Sequence, residues 1–157
     1  MNVAAPIECE RATPGERAAL LALMRSELAT RLDRIMAVMG LTWTQFEGLY
    51  QSRGEVRTIR VADAVAGYYW IEQRGRELHL HAIIVLPEHR GRGIGGAALR
   101  GLEAEFAGRV DLIELGVEQG NTGARSLYAR AGFVVEEVLP DLGFEVMRKR
   151  VSGEPAN

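Results

Sequence analysis

Apolar residues recur every three or four positions through the first third of the chain, which is the spacing of amphipathic helices. The segment from Thr13 to Glu16 supplies an N-cap threonine, a proline at the first helical position and a glutamate three residues after the cap. Gly40 can end a second helix in the left-handed conformation, and Thr42 with Gln45 marks a third helical start. The pattern therefore predicts two or three helices in this region.

Near residue 55 the pattern changes to the β-branched and alternating content of strands. Residues 55–86 hold three such runs separated by the short segments ADA and QRGR, which predicts an antiparallel meander. Helical spacing returns after a glycine-rich stretch, and VDLIELGV (110–117) is typical of a strand buried on both faces. A short helix over 121–132 and two further strands complete the predicted order.

Composition places the chain among ordinary soluble proteins, with 157 residues of which 47% are hydrophobic and 25% charged. We expect one domain over residues 1–151 and a disordered tail over 152–157. The formal net charge of -2 gives no basic field for nucleic acid or an anionic membrane, and no apolar run approaches the length of a bilayer span. The single cysteine, Cys9, and the lack of a signal-peptide pattern favour a cytoplasmic protein.

Two phosphate-binding patterns overlap in the stretch LPEHRGRGIGGAAL. Gly91, Gly93 and Gly96 form the G-x-G-x-x-G of dinucleotide-binding turns, whereas Arg90, Gly93 and Gly95 form R-x-x-G-x-G. A dinucleotide turn follows its strand almost at once and comes early in a βαβ series. Here four residues separate the strand from the first glycine, and three antiparallel-type strands come before it. The context therefore favours the second pattern.

A second motif downstream shows which kind of protein this glycine-rich stretch resembles. The segment IIVLPEHRGRGIGGAAL is similar to V-x-P-x-x-R-G-x-G-I-G-x-x-L, and NTGARSLYARAGF is similar to N-x-x-A-x-x-L-Y-x-x-x-G-F. With these two motifs in this order, the chain resembles the GNAT superfamily of acyl-CoA-dependent N-acyltransferases. The resemblance implies a three-layer α+β fold with a central mixed, mostly antiparallel sheet, helices on both faces and a splayed pair of strands at the cofactor site.

The resemblance also implies a binding site for acetyl-CoA. The backbone of residues 83–85 would hydrogen-bond the pantetheine arm, and the N–H groups of the glycine loop would hold the pyrophosphate. Glycine suits such a loop because a Cβ would keep phosphate oxygens away from the backbone donors. The implied cofactor-binding residues are Ile83, Ile84, Val85, Arg90, Gly91, Arg92, Gly93, Ile94, Gly95, Gly96 and Asn121.

Two residues are candidates for proton transfer. Tyr128 matches the family tyrosine that can protonate the thiolate as it leaves, and the competing interpretation is a core aromatic. His81 lies four residues before Val85, and strand alternation predicts that it shares a face with Ile83 and Val85. It could accept the proton of an amine near neutral pH, or it could be a structural histidine. No third ligand accompanies His79 and His81, so we expect no metal site.

The predicted activity is transfer of the acetyl group of acetyl-CoA to a primary amine by direct attack in a ternary complex. Cys9 lies far from both motifs, which disfavours a covalent acyl-enzyme. Gly116 stands where some relatives that acetylate protein N-termini carry a glutamate, so small-molecule and protein amines both stay open as acceptors. The alternative is a non-catalytic acyl-CoA-binding sensor or regulatory module. A homodimer is also left open.

Overall fold

Seven strands form one sheet in the computed structural model, which describes residues 6–151. The strands are β1 (Ile7–Arg11), β2 (Glu55–Val61), β3 (Ala64–Arg74), β4 (Glu77–Val85), β5 (Leu112–Glu118), β6 (Val134–Leu139) and β7 (Phe144–Arg150). The helices are α1 (Pro14–Glu27), α2 (Ala29–Met39), α3 (Trp43–Ser52), α4 (Ile94–Phe106) and α5 (Thr122–Arg130). The tail predicted at 152–157 lies outside the described residues.

The sheet is mixed and mostly antiparallel, as predicted. Its strand order is β1-β2-β3-β4-β5-β7-β6, and only the β4–β5 pair is parallel. Helices α1, α2 and α3 cover one face with a core that includes Leu20, Met36 and Tyr50. Helices α4 and α5 cover the other face, where Leu99 and Tyr128 are buried. The three-layer prediction is confirmed. Among residues 6–151, no helix is long and apolar enough to cross a membrane.

Local sequence signals set the helix ends in the first third of the chain. The Thr13 hydroxyl accepts a hydrogen bond from the Glu16 N–H at 3.2 Å, and the Glu16 carboxylate accepts one from the Thr13 N–H at 3.0 Å. Thr42 and Gln45 form the same reciprocal pair at the start of α3. Gly40 follows α2 with φ of 68°, in the left-handed region that glycine adopts without strain. All three predicted helical segments are therefore present.

The predicted element order omitted β1. This strand is five residues long and pairs antiparallel with β2 along its whole length. Ile7 and Cys9 pack against the core of the α4–α5 face. Two inward residues are too few for an alternating pattern to stand out in the sequence, so backbone hydrogen bonding to β2 decides that this segment is a strand.

The parallel pair β4–β5 separates along its length. Pairing runs from Glu77 opposite Leu112 to Leu80 opposite Leu115 and then stops. Beyond that point β5 remains paired with β7, and β4 remains paired with β3. The expected splayed strands are therefore present, and the gap between them opens through the sheet.

A β-bulge in β4 sits at the point where the gap begins. Trp70 pairs with Ala82 and the next residue of β3 pairs with Leu80, so His81 is the extra residue. Leu80 packs on the α4–α5 face, whereas Ala82 packs on the α1–α3 face. His81 stacks on Trp70, with ring centroids 4.3 Å apart, on the α1–α3 face.

The prediction that His81 shares a face with Ile83 and Val85 is therefore wrong. Ile83 and Val85 pack against the α4–α5 core, on the opposite side of the sheet from the His81–Trp70 stack. Strand alternation fails here because the bulge inserts one residue and so reverses the facing of everything beyond it.

Candidate active site

A groove of about 560 Å³ lies at the end of β4, between the glycine-rich loop and α5; we call it the loop groove. All but one of the predicted cofactor-binding residues line it, the exception being Arg92. The residues brought together there are Ile83, Ile84, Val85, Arg90, Gly91, Gly93, Ile94, Gly95, Gly96 and Asn121. Two segments of sequence separated by some 25 residues thus meet in one groove because α4 and α5 pack on the same face.

The glycine loop leaves its backbone donors open. Gly91 and Gly93 have φ of 78° and 76°, and a Cβ built on either would have no atom within 4 Å. The positive φ requires glycine at both positions, and the open space lets a ligand approach the backbone. Gly93 is also the N-cap of α4, and its lack of a side chain leaves the first-turn N–H groups without a side-chain acceptor. Such a helix start suits an anion such as a phosphate.

The remaining motif residues of the loop have packing roles. A Cβ on Gly95 would lie 3.2 Å from Cδ2 of Leu127, so glycine permits the close contact of α4 with α5. A Cβ on Gly96 would meet the movable guanidinium of Arg100 at 3.3 Å and make an ordinary contact with Cδ1 of Leu127 at 3.9 Å, so glycine is not required there. The Arg90 Nε donates to the Val85 carbonyl at 2.8 Å, and this contact holds the loop against the end of β4.

A second cavity of about 340 Å³ lies between the sheet and α1–α3; we call it the helical cavity. Most of its wall is apolar and comes from Met24, Leu28, Leu32, Ile35, Met36, Met39, Leu41, Phe46, Leu49 and Trp70. Its polar wall is formed by Arg31, Arg53, Glu72, Arg74, His79, His81 and Glu114. The methionine and aromatic residues of the first third thus serve as core and as cavity lining together.

A small cavity of about 80 Å³ lies at the gap between β4 and β5 and shares wall residues with both of the others; we call it the passage. It shares Arg31 and His81 with the helical cavity. It shares Ile83, Asn121 and Tyr128 with the loop groove. The two predicted proton-transfer residues therefore lie on the wall of one opening, although the chain places them 47 positions apart.

His81 is oriented by a carboxylate on the neighbouring strand. Its Nε2 lies 2.9 Å from Oε1 of Glu72, and Glu72 also accepts two hydrogen bonds from Arg74. These contacts, with Arg74 foremost, lower the pKa of Glu72 to about 2, so the carboxylate is ionised and can only accept. A neutral His81 must therefore carry its proton on Nε2, which leaves a lone pair on Nδ1. Burial lowers the pKa of His81 despite the Glu72 charge, which favours that neutral form.

Tyr128 is buried, with 8% of its surface exposed, and its ring packs edge-on against Phe133. Burial raises the pKa of its phenol, and the positive charge of Arg31 opposes that rise. The hydroxyl is therefore protonated at neutral pH and available as a proton donor. Asn121 caps α5 through its Oδ1, which accepts from the Ala124 N–H at 3.1 Å.

Two residues of the site were not among those predicted from the sequence. Glu72 is a strand residue whose link to His81 depends on the pairing of β3 with β4. Arg31 comes from α2, and its Nη2 donates to the Gly116 carbonyl of β5 at 3.2 Å. An alternating strand pattern could have pointed to Glu72, but nothing in the spacing of Arg31 relates it to the two motifs.

The family model for the acetyltransferase (GNAT) family matches residues 28–133, more than half of the chain. The chain belongs to the GNAT family. Among curated relatives, this GNAT chain is 36% identical over 70 residues to mycothiol acetyltransferase of Clavibacter michiganensis subsp. michiganensis. That match takes in 44% of the chain and only 23% of the relative's length.

Solved structures show the same GNAT fold. The ribosomal-protein-S18-alanine N-acetyltransferase of Escherichia coli superposes with a TM-score of 0.69 at 18% identity, covering 97% of this chain and 98% of that one. PaiA N-acetyltransferase of Thermoplasma acidophilum, solved in complex with coenzyme A, has a TM-score of 0.68 at 15% identity and covers 92% and 99%. At these identities the likeness extends to the fold alone.

Proposed function

We propose that the protein is an acetyl-CoA-dependent N-acetyltransferase that acts on a primary amine by direct transfer in a ternary complex. The observation that carries the proposal is the passage, which shares its walls with a groove suited to a phosphate-bearing ligand on one side and with a largely apolar cavity on the other. Two substrates could enter from opposite faces of the sheet and meet at the gap between β4 and β5. Such an arrangement brings the reacting groups together and excludes bulk water.

The donor site is assigned to the loop groove. The positive-φ glycines Gly91 and Gly93 and the open N-terminus of α4 would hold the pyrophosphate. The unpaired edge of β4 beyond Leu80 would hold the pantetheine arm through backbone groups of Ile83 and Val85. The bound donor supplies an acetyl thioester, an acyl group already activated for attack by an amine.

The acceptor site is assigned to the helical cavity, with its amine directed to the passage. The bond between the amine nitrogen and the acetyl carbon forms as the carbon–sulfur bond breaks. The Nδ1 atom of His81 accepts a proton from the amine nitrogen, while Tyr128 donates its phenolic proton to the departing sulfur. The contact with Glu72 holds the His81 proton on Nε2, so that Nδ1 is free to accept a proton in this step. Cys9, on β1, lines neither cavity nor the passage, which supports direct transfer.

A non-catalytic acyl-CoA-binding module is the competing function. A sensor would need the loop groove, but it would have no use for a passage whose wall holds both a carboxylate-oriented histidine and a buried tyrosine. The convergence of His81 and Tyr128 on one opening therefore favours the enzyme.

Two measurements test the proposal. Acetyl-CoA should raise the melting temperature of the protein, since a ligand bound to the native state stabilises it, whereas NAD and FAD should not. A panel of primary amines should then contain at least one that releases coenzyme A from acetyl-CoA at a rate proportional to enzyme concentration. A shift with NAD alone would contradict the donor assignment, and binding without release from any amine would favour the sensor.

A further inference from the structure

Arg31 is a partly buried cation that forms no ion pair among residues 6–151, although the charge of Glu118 acts on it from beyond ion-pair distance. Its Nε is buried and has no hydrogen-bond partner, and its guanidinium makes one hydrogen bond, to the Gly116 carbonyl, within residues 6–151. Its Cζ lies 5.0 Å from the centroid of the Phe144 ring, and none of the ion pairs in this part of the chain includes it. Burying a charge without a partner is costly unless something else supplies the opposite charge.

The position of Arg31 restricts what that opposite charge can be. Arg31 lines both the helical cavity and the passage, so it lies beside the point that the acceptor amine must reach. A positive charge there repels a cationic amine unless the acceptor brings a negative group of its own. An acceptor with a carboxylate on the carbon that bears the amine would place both groups correctly.

The acidic groups of the helical cavity are already engaged. Glu72 is bound to Arg74 and His81, and Glu114 is bound to Arg148, at 2.7 Å, and to His79. Arg31 and Arg53 remain as the cations of the wall without an ion pair among residues 6–151. A polycationic acceptor such as a polyamine would find no free carboxylate in this cavity, whereas an anionic group would find a free cation.

The rest of the helical cavity sets the size and polarity of the acceptor. Its volume of about 340 Å³ lies near the lower end of the roughly 300–1,000 Å³ that ligand pockets span. Most of the other side chains that line it are apolar or aromatic, including Met36, Phe46 and Trp70. The cavity therefore suits one small apolar or aromatic group.

From these observations we infer that the acceptor is a free hydrophobic α-amino acid, whose carboxylate binds Arg31 and whose side chain fills the helical cavity. The inference rests on the proposed function, because it assigns the acceptor of the same site. The amine of such a molecule lies at the passage, where it loses its proton to His81 and forms the bond to the acetyl carbon as the thiolate leaves with the Tyr128 proton.

The test compares matched acceptors that differ only in the carboxylate. L-phenylalanine, L-leucine and L-methionine are assayed for coenzyme A release beside their decarboxylated amines and their amides. The amide also mimics the N-terminus of a peptide. We expect kcat/KM for at least one free acid to exceed that of its amine and its amide by about 30-fold or more. The amine and the amide lack the carboxylate that would pair with Arg31, and losing one partner of a buried charge pair weakens binding by at least this factor.

Two arginine variants provide the internal control. Arg31→Gln should lower kcat/KM for the free acid by about 30-fold or more and leave the matched amine within a few-fold. Arg53→Gln removes the other unpaired arginine of the helical cavity, which does not line the passage, and should leave the acid-to-amine ratio unchanged. The ratio is measured within each variant, so partial loss of folded protein does not affect it.

Each other outcome overturns the inference. Preference for the amine or the amide by the wild-type enzyme excludes the amino acid and leaves the proposed function standing. An equal loss for acid and amine in Arg31→Gln assigns Arg31 to the transferred group or to the fold. Release of coenzyme A from no amine, with no thermal shift by acetyl-CoA, overturns the proposed function as well.

Discussion

Replacing Gly67 by alanine should push β4, the strand that borders the loop groove, away from β3. Gly67 lies on β3 opposite Val85 of β4. A Cβ at this position would overlap the carbonyl oxygen of Ile84 and lie 3.0 Å from the Cα of Val85. Both neighbours are backbone atoms, so no side-chain rotation relieves the overlap and β4 itself must move.

The expected cost follows from the chemistry of overpacking, which is typically about 1–3 kcal/mol. For a domain of this size each kcal/mol corresponds to about 2–4 °C in melting temperature, so Gly67→Ala should lower it by about 2–12 °C. The displaced segment includes Ile84 and Val85, which border the loop groove. Loss of one backbone hydrogen bond to the ligand would weaken coenzyme A binding by about 2- to 10-fold.

Gly101 gives a matched control, because the same substitution there should have the opposite sign. It lies on the exposed side of α4, and a Cβ would have no atom within 4 Å. Gly101→Ala should raise stability by about 0.5–1 kcal/mol through helix propensity alone. Thermal unfolding and calorimetric titration with coenzyme A measure both effects. If Gly67→Ala matched the wild type in melting temperature and affinity, the close approach of β3 to β4 would not be what requires glycine at position 67.

The other predictions concern proton transfer and local stability. Tyr128→Phe should lower kcat by about 100-fold or more with little change in the dissociation constant for acetyl-CoA, and an unchanged kcat would remove Tyr128 from the reaction. Glu72→Gln removes a charge that raises the pKa of His81, so the acid limb of kcat/KM should move to lower pH; a stationary limb would exclude His81 as the base. Because the pKa of Glu72 lies at about 2, below its ordinary value of 4.5, its contribution to stability is complete above pH 4.5 and is lost as the pH falls towards 2. Glu72→Gln should therefore reduce the loss of unfolding free energy in that pH window, measured by denaturant titration. Thr13→Ala should lower the unfolding free energy by about 1 kcal/mol, because the hydroxyl that accepts from the Glu16 N–H is lost, and an unchanged unfolding free energy would contradict the role of the cap.

Much of the fold was predictable because its signals are short-range. The capping boxes that begin at Thr13 and Thr42 join residues three positions apart, so each is written in four consecutive letters. Gly93 and the N-cap Asn121 likewise act on the turn that immediately follows them. The family resemblance assigned both residues to one cofactor site, and the structure places both on the wall of the loop groove.

The acceptor side of the site could not be predicted in this way. His81 faces the helical cavity because the pairing of β3 with β4 inserts a bulge, and strand alternation along one segment cannot reveal the register of its partner. Arg31 reaches the passage from α2 only because that helix packs across the gap between β4 and β5. Their roles depend on contacts between residues 9 and 85 positions apart.

The sequence by itself determined the helices, including α5 with Tyr128, and the glycine loop, because caps, turns and motif spacings act between neighbours along the chain. Only the tertiary structure decided that Tyr128, His81 and Arg31 border one opening through the sheet. That opening exists because β4 and β5 stop pairing after Leu80 and Leu115, and where two strands part depends on all their partners at once.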